Sequence, residues 1–350
     1  LLLRGPHRDS TQPGVAVTWE LVSPHAQVDA VNASGVAVYQ VGGWFDIYAL
    51  DPLLYRVNLT VPHKLVMADW HHSSHAEWLS VEMLRWFDYW LKGIDNRIMD
   101  EPPIRYAVHG APDETKWRTA DQWPLSDEER IRYYFHAGPS GSVESVNDGI
   151  LSAAKPTGDT GRADYVVDYT TTMGDATRFV NGHGGTFEYP DLAANDAKAL
   201  TFTTPVLEED ALVVGHPVVR LWVTSTADDG DFFAYLEEVD ATGYSEYITE
   251  GKLRASCRSI HDSPYENVGL PYHRCFEEDV APLPDEPVEL VFDMRPTANL
   301  FDSGHRIRLA ITGADAGNFD TPVLDPPPNF SIHQSASHES HVDLPVLPSR

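Results

Sequence analysis

The sequence predicts an α/β segment followed by an all-β part that folds as a β-sandwich or jelly roll. Three observations predict this. Two short apolar runs, Gly35–Val41 and Lys64–Ala68, alternate with helix-forming stretches early in the chain. From Ile104 onward helical periodicity nearly disappears, and short alternating runs separated by Gly, Pro and Asp turns replace it. At 350 residues and 42% hydrophobic content, the chain is long enough for two domains with real cores.

The elements follow in order. Residues 1–34 contain "RGPHRDSTQPG" and "VSPHAQ", which read as an irregular lead-in. The chain begins Leu1-Leu2-Leu3-Arg4 without Met, so it is expected to be a piece of a longer protein. "GVAVYQV" reads as a first strand, and Pro52–Leu59 as a short amphipathic turn or helix. "KLVMA" reads as a second buried strand. A helix should follow: Ser74 and Glu77 have capping-box spacing. Leu79, Met83, Trp86, Phe87 and Trp90 then recur on one face, Asp88 and Lys92 form an i,i+4 pair, and Gly93 is a left-handed stop. In the second part, "PVVRLWVTS", "DFFAYLEEV", "PVELVFDM" and "HRIRLAIT" each alternate with period two. Ile307, Leu309 and Ile311 are expected to face inward and Arg306 and Arg308 outward. The Pro-rich "DPPPNF" is expected to be a covering strap.

The formal net charge of −28 argues against a nucleic-acid partner, because a phosphate binder needs Lys and Arg. No apolar run reaches the ~18 residues a membrane span needs. The two cysteines, Cys257 and Cys275, lack zinc-like neighbours. They flank a turn-rich excursion and could close it as a disulfide or stay reduced. "HHSSHAE" places His71 and His75 four apart, but no third ligand is evident, and "TADDGDFF" lacks the spacing of a calcium loop. No metal and no cofactor are expected. "NAS", "NLT" and "NFS" match glycosylation sequons without further support.

The candidate chemistry lies at two strand ends. Asp46 follows the first strand in a Gly-Trp-Phe-Asp turn; His71 and His72 follow the second, after Trp70. Ligand sites in open α/β sheets form beyond the carboxyl ends of the strands. Adjacent strands would bring the acid to a histidine, which is two thirds of a nucleophilic triad. The order acid-then-His also fits an α/β-hydrolase.

"VGGWFD" followed by "ADWHH" resembles the Gly-Trp-Tyr-Asp and Gly-Pro-Trp-x-His segments of the CocE/NonD hydrolases, which include cocaine esterase, α-amino acid ester hydrolases and X-Pro dipeptidyl-peptidases. "RWFDYWLKGIDNRIMDEPPIRYAVHG" resembles that family's linker helix and entry to its third domain. "GHPVVRLWVTSTADDGDFFAYLEEV" and "GHRIRLAITGADAGNFDTP" resemble its C-terminal jelly roll. The resemblance runs from about Val36 to Pro322. It implies the C-terminal part of an α/β-hydrolase domain followed by a jelly-roll β-sandwich. Residues 1–34 would be a cap remnant or irregular lead-in, 35–102 the end of the hydrolase domain, and 103–350 the jelly roll. It implies Asp46 as triad acid and His72 as base, with His71 the one-residue alternative, because Ala68-Asp69 stands where the family has Gly-Pro. A nucleophile elbow, Gly-x-Ser-x-Gly, is absent, and neither Ser34 in "NASGV" nor Ser140 in "GPSGS" supplies it. The implied activity is a serine hydrolase on a small acyl ester, amide or short peptide, with this chain alone inactive. A soluble bacterial protein, cytoplasmic or secreted, and a homo-oligomer are compatible with it. The alternative from another class is a non-catalytic jelly-roll binding or assembly module.

Overall fold

The structure, a computed structural model, describes residues 8–9, 23–72, 76–180 and 187–348. Its first half is a short helix α1 (Val28–Ser34), strand β1 (Val38–Gly43), helix α2 (Asp51–Asn58), strand β2 (His63–Ala68) and helix α3 (Trp78–Lys92). Strands β1 and β2 pair in parallel, with Val38 beside His63 and Gly43 beside Ala68. Their carboxyl ends are therefore level, as the reading of the two strand-end turns requires.

The composition changes near residue 101, but the sheet does not. Strand β3 (Ile104–Ala107) lies parallel to β2, and β4 (Trp117–Ala120) adds antiparallel to β3, giving the order β1-β2-β3-β4. The small sheet therefore runs past residue 102, where the sequence places the start of the jelly roll, because four-residue runs after "DEPP" carry no period that assigns them to either sheet.

Helix α3 begins at Trp78 with Glu77 at its N-cap, and no side chain caps it. Ser74 and His75 lie outside the described residues. Gly93 ends the helix in the left-handed region at φ 71°, with Ile94 N–H bonded to Asp88 O at 3.0 Å. Lys92 meets Asp88 at 2.6 Å. The apolar face is only partly buried. Leu79 and Trp86 are inside, whereas Met83, Phe87 and Trp90 remain exposed with Val81, Leu84 and Leu91.

The second half contributes β5 (Glu129–His136), β6 (Asn147–Ser152), β7 (Arg162–Val166), a four-residue helix α4 (Ala193–Asp196), β8 (Leu200–Thr203), β9 (Ala211–Gly215), β10 (Val218–Ser225), β11 (Asp231–Val239) and β12 (Ser245–Arg254). It continues with β13 (Val288–Asp293), β14 (Thr297–Phe301), β15 (Arg306–Thr312), β16 (Asn329–Ser335), β17 (His338–Glu339) and β18 (His341–Leu347). These form one 14-stranded, almost wholly antiparallel sheet system that wraps a core including Phe135, Phe202, Leu221, Phe232 and Ile332. All four alternating runs named from the sequence are strands. The facing rule does not hold throughout: β11 and β15 are buried on both faces, and Arg308, expected outside, is buried because its guanidinium pairs with Asp196 at 2.5 Å and Thr203 Oγ1 at 3.1 Å.

Cys257 and Cys275 form a disulfide, with Cα atoms 5.0 Å apart. The turn "TADDGDFF" spends its acids locally. Asp229 accepts from Ser256 N–H and Oγ–H at 2.8 and 2.7 Å, and Asp231 pairs with Arg254.

The two halves share a second apolar core. Trp44, Leu65, Met67 and Ile104 from the small sheet pack with Val214, Phe233 and Tyr247 from the large one. His109, just past β3, also bridges in parallel to Asn299 of β14. The strand "KLVMA" is buried, as its sequence suggests.

Candidate active site

Strand β1 (Val38–Gly43) leads into Trp44-Phe45-Asp46, and Gly43 is required by close approach to backbone. A Cβ on Gly43 would lie 2.0 Å from Trp70 O, and one on Gly42 would lie 2.4 Å from Met67 Sδ. With no side chain between them, the turns after β1 and β2 touch directly. Trp44 N–H donates to Ala68 O at 2.7 Å, and Phe45 N–H to Trp70 O at 3.1 Å. Trp44 anchors the turn: its indole N–H donates to Ala107 O at 2.7 Å, and its ring is buried.

This contact brings Asp46 to His72. His72 Nδ1 lies 3.2 Å from both carboxylate oxygens of Asp46. The Asp46 side chain is mostly covered, and its Oδ1 also accepts from Tyr48 N–H at 2.9 Å. The Tyr48 ring packs edge-on against His72, with centroids 5.6 Å apart. A carboxylate acceptor on Nδ1 favours the tautomer that carries its proton there, which leaves the lone pair on Nε2.

His71 sits differently. Its ring stacks on Phe187, centroids 4.1 Å apart and 5° from parallel, and its buried Nδ1 finds no hydrogen-bond partner among the described residues. Burial and the nearby Arg178 charge push its pKa below the ordinary value. Such a ring resists the cationic form that a general base must adopt.

Around the pair lies a network the sequence did not single out. Asp69, directly after β2, accepts from Lys116 Nζ at 2.7 Å and lies 3.8 Å from His109 Nδ1. Its pKa is lowered to about 2, chiefly by its interaction with His109 and then by Lys116, against the opposing effect of burial. His109 Nε2 lies 3.2 Å from Glu246 on β12. Burial disfavours its charge, but Asp69 and Glu246 outweigh it and raise His109 to about 9. The loop that carries His72 is thereby tied to the large sheet. Arg178, in the long connection between β7 and β8, reaches the Asp46 turn from the other side. Its Nη1 donates to Trp44 O at 3.0 Å and to Asp46 O at 3.1 Å.

The serines weighed from the sequence are spent on local turns. Ser34 donates to Val31 O at 2.7 Å at the end of α1, and Ser140 bonds Ser142 and Asp148 between β5 and β6. One group among the described residues has metal-like spacing: Glu238, Asp302 and His305, within 4.8 Å of one another. There His305 Nδ1 already lies 2.8 Å from Glu238, a local ion pair.

Residues 96–343 match the family described as the X-Pro dipeptidyl-peptidase C-terminal non-catalytic domain. The chain belongs to this family. A Mycobacterium bovis protein named as a serine esterase is 39% identical over 346 residues, covering 93% of this chain and 52% of that protein. Cocaine esterase of Rhodococcus is 24% identical over 338 residues, covering 87% of this chain and 55% of the enzyme. A CocE/NonD family hydrolase structure from Staphylococcus aureus superposes with TM-score 0.69 at 18% identity, over 89% of this chain and 55% of that one. The fold is therefore that of the CocE/NonD hydrolases, and the relatives named here are hydrolases. The chain spans about half the length of the curated relatives it matches. Asp46 and His72 lie before the matched non-catalytic span, while Arg178 and Glu246 lie within it.

Proposed function

We propose that this chain carries the acid and base of a serine hydrolase, with the nucleophile and oxyanion donors supplied by sequence upstream. The observation that supports it is the 3.2 Å pairing of Asp46 with His72 Nδ1 at two level, touching strand ends. Asp46 fixes the ring so that Nε2 takes the proton as a serine hydroxyl attacks the acyl carbon. Asp46 then stabilises the imidazolium, which returns the proton to the leaving group as the carbonyl re-forms. Water, deprotonated by the same nitrogen, releases the acid from the acyl-enzyme. No step calls for a cofactor. The substrate class is a small acyl ester, amide or short peptide, as the names of the relatives suggest. Residues 35–102 are the end of the hydrolase domain in this reading, β3 and β4 complete its sheet, and the large sheet that follows is a jelly roll. Among the described residues no helix is long and apolar enough to cross a membrane.

The non-catalytic module remains the second reading, favoured by the description of the family that residues 96–343 match. The test is to express the chain joined in frame to its upstream coding sequence and to assay p-nitrophenyl acetate with a fluorophosphonate label. Turnover and labelling of one upstream serine are expected. An extended chain that neither turns over nor labels leaves the module reading in place.

A further inference from the structure

Arg178 is fully buried, and a buried guanidinium persists only where every donor finds a partner. Here Nη1 is shared between the carbonyls of Trp44 and Asp46, at 3.0 and 3.1 Å, on either side of Phe45. Nη2 donates to Tyr247 Oη at 2.8 Å, and Nε lies 3.4 Å from Tyr189 Oη. The charge is balanced by buried Glu250 on β12, 3.6 Å from Nε, whose other oxygen lies 3.1 Å from Arg295. The cradle is stiff as well as polar: Tyr189 and Tyr247 stack with centroids 3.9 Å apart and 7° from parallel. Phe45 lies 5.9 Å from the guanidinium carbon.

We propose that Arg178 is a positioning residue for the acid–base pair, holding the backbone turn that aims the Asp46 carboxylate at His72. This rests on the reading of Asp46 and His72 as a catalytic pair. The large sheet then does more than buttress the hydrolase side: it reaches through Arg178 to the one turn whose angle decides whether Asp46 meets Nδ1. Within its own turn the acid is held by Tyr48 N–H at 2.9 Å and by Ala49 N–H bonding Asp46 O at 3.2 Å, and the start of the turn is tied to the end of β2 by Phe45 N–H to Trp70 O at 3.1 Å; Arg178 is the tie that reaches it from the opposite side. A planar fork with several donors can hold two carbonyls and a phenol at fixed spacing at once. An ammonium on a flexible stem retains the charge beside Glu250 but not that geometry.

The test reads the tautomer of His72 in the 350-residue chain, using long-range 1H–15N spectra of 15N-histidine-labelled protein, with His72→Gln for assignment. A carboxylate acceptor selects the Nδ1–H form. Asp46→Asn is expected to abolish that preference. Arg178→Lys and Arg178→Met are expected to reduce the Nδ1–H to Nε2–H ratio severalfold while near-UV circular dichroism stays that of the folded chain. Should Arg178→Met fail to fold, Arg178→Lys, which retains the balancing charge, decides. If Asp46→Asn abolishes the preference and the folded Arg178 variants keep the wild-type ratio, Arg178 only glues the halves and the inference is overturned. If Asp46→Asn itself leaves the ratio unchanged, the acid–base reading fails instead.

Discussion

Replacing Gly43 with alanine should damage this protein more than its chemistry suggests, because the new methyl points at backbone. The added Cβ would lie 2.0 Å from Trp70 O, 2.6 Å from its carbonyl carbon and 3.1 Å from its Cα. Ordinary contact requires roughly 3.5 Å, so the turn after β2 must retreat by more than about 1 Å. That movement breaks the Phe45–Trp70 bond, now 3.1 Å, and strains the 2.7 Å Trp44–Ala68 bond beside it. A lost or weakened backbone bond contributes about 1 kcal/mol, and overpacking of a site that cannot yield costs about 1–3 kcal/mol. The expected loss is about 3 kcal/mol, measured as a lowered urea midpoint by tryptophan fluorescence. Gly35→Ala is the control. It sits at φ +69° with nothing within 4 Å of the added atom, so only backbone strain of about 1 kcal/mol applies. Because the same retreat separates Asp46 from His72, Gly43→Ala should also lose the Nδ1–H preference of His72, and Gly35→Ala should not. A Gly43→Ala chain as stable as wild type would refute the claim that the two turns must touch.

The 350-residue chain alone should hydrolyse p-nitrophenyl acetate no faster than buffer, since it has no elbow serine; turnover that disappears in His72→Ala would overturn this. Reducing Cys257–Cys275, whose residues stand 18 apart, should lower stability by roughly 3 kcal/mol, read from urea midpoints with and without reductant. His109 is raised to about 9 from 6.5, so its stabilising contribution is whole below pH 6.5 and is lost as pH rises through 9. The difference in stability between wild type and His109→Gln should therefore shrink between pH 7 and 10, and a constant difference would contradict it. The exposed side of α3, with Val81 62% and Leu91 77% accessible, should make the chain self-associate, and light scattering should fall in a Leu84→Lys, Leu91→Lys variant.

The strand ends were legible because their signals are local. "VGGWFD" needs Gly43 for one close approach, and the acid and histidine each follow a short buried run. The alternating strands of the second half were legible for the same reason, since period two survives any partner. What escaped were residues whose role is set by a distant chain segment. Arg178 lies in "DATRF", with no periodicity or motif around it, and meets a turn 132 residues earlier. Arg308 alternates correctly for an exposed side chain, yet Asp196 waits beneath it. Strands β3 and β4 are too short to declare which sheet they join. The face of α3 was readable as apolar, but an apolar stripe does not say what covers it.

The central claim is that His72, held by Asp46, is the base of a serine hydrolase. It is tested most directly in the chain extended by its upstream coding sequence, by comparing kcat/KM for p-nitrophenyl acetate among wild type, His72→Ala and His71→Ala. The account predicts that His72→Ala loses about 10⁴-fold or more, in line with triad deletions generally, while His71→Ala retains most activity. An extended enzyme that turns over normally without His72, or that fails only without His71, would contradict it.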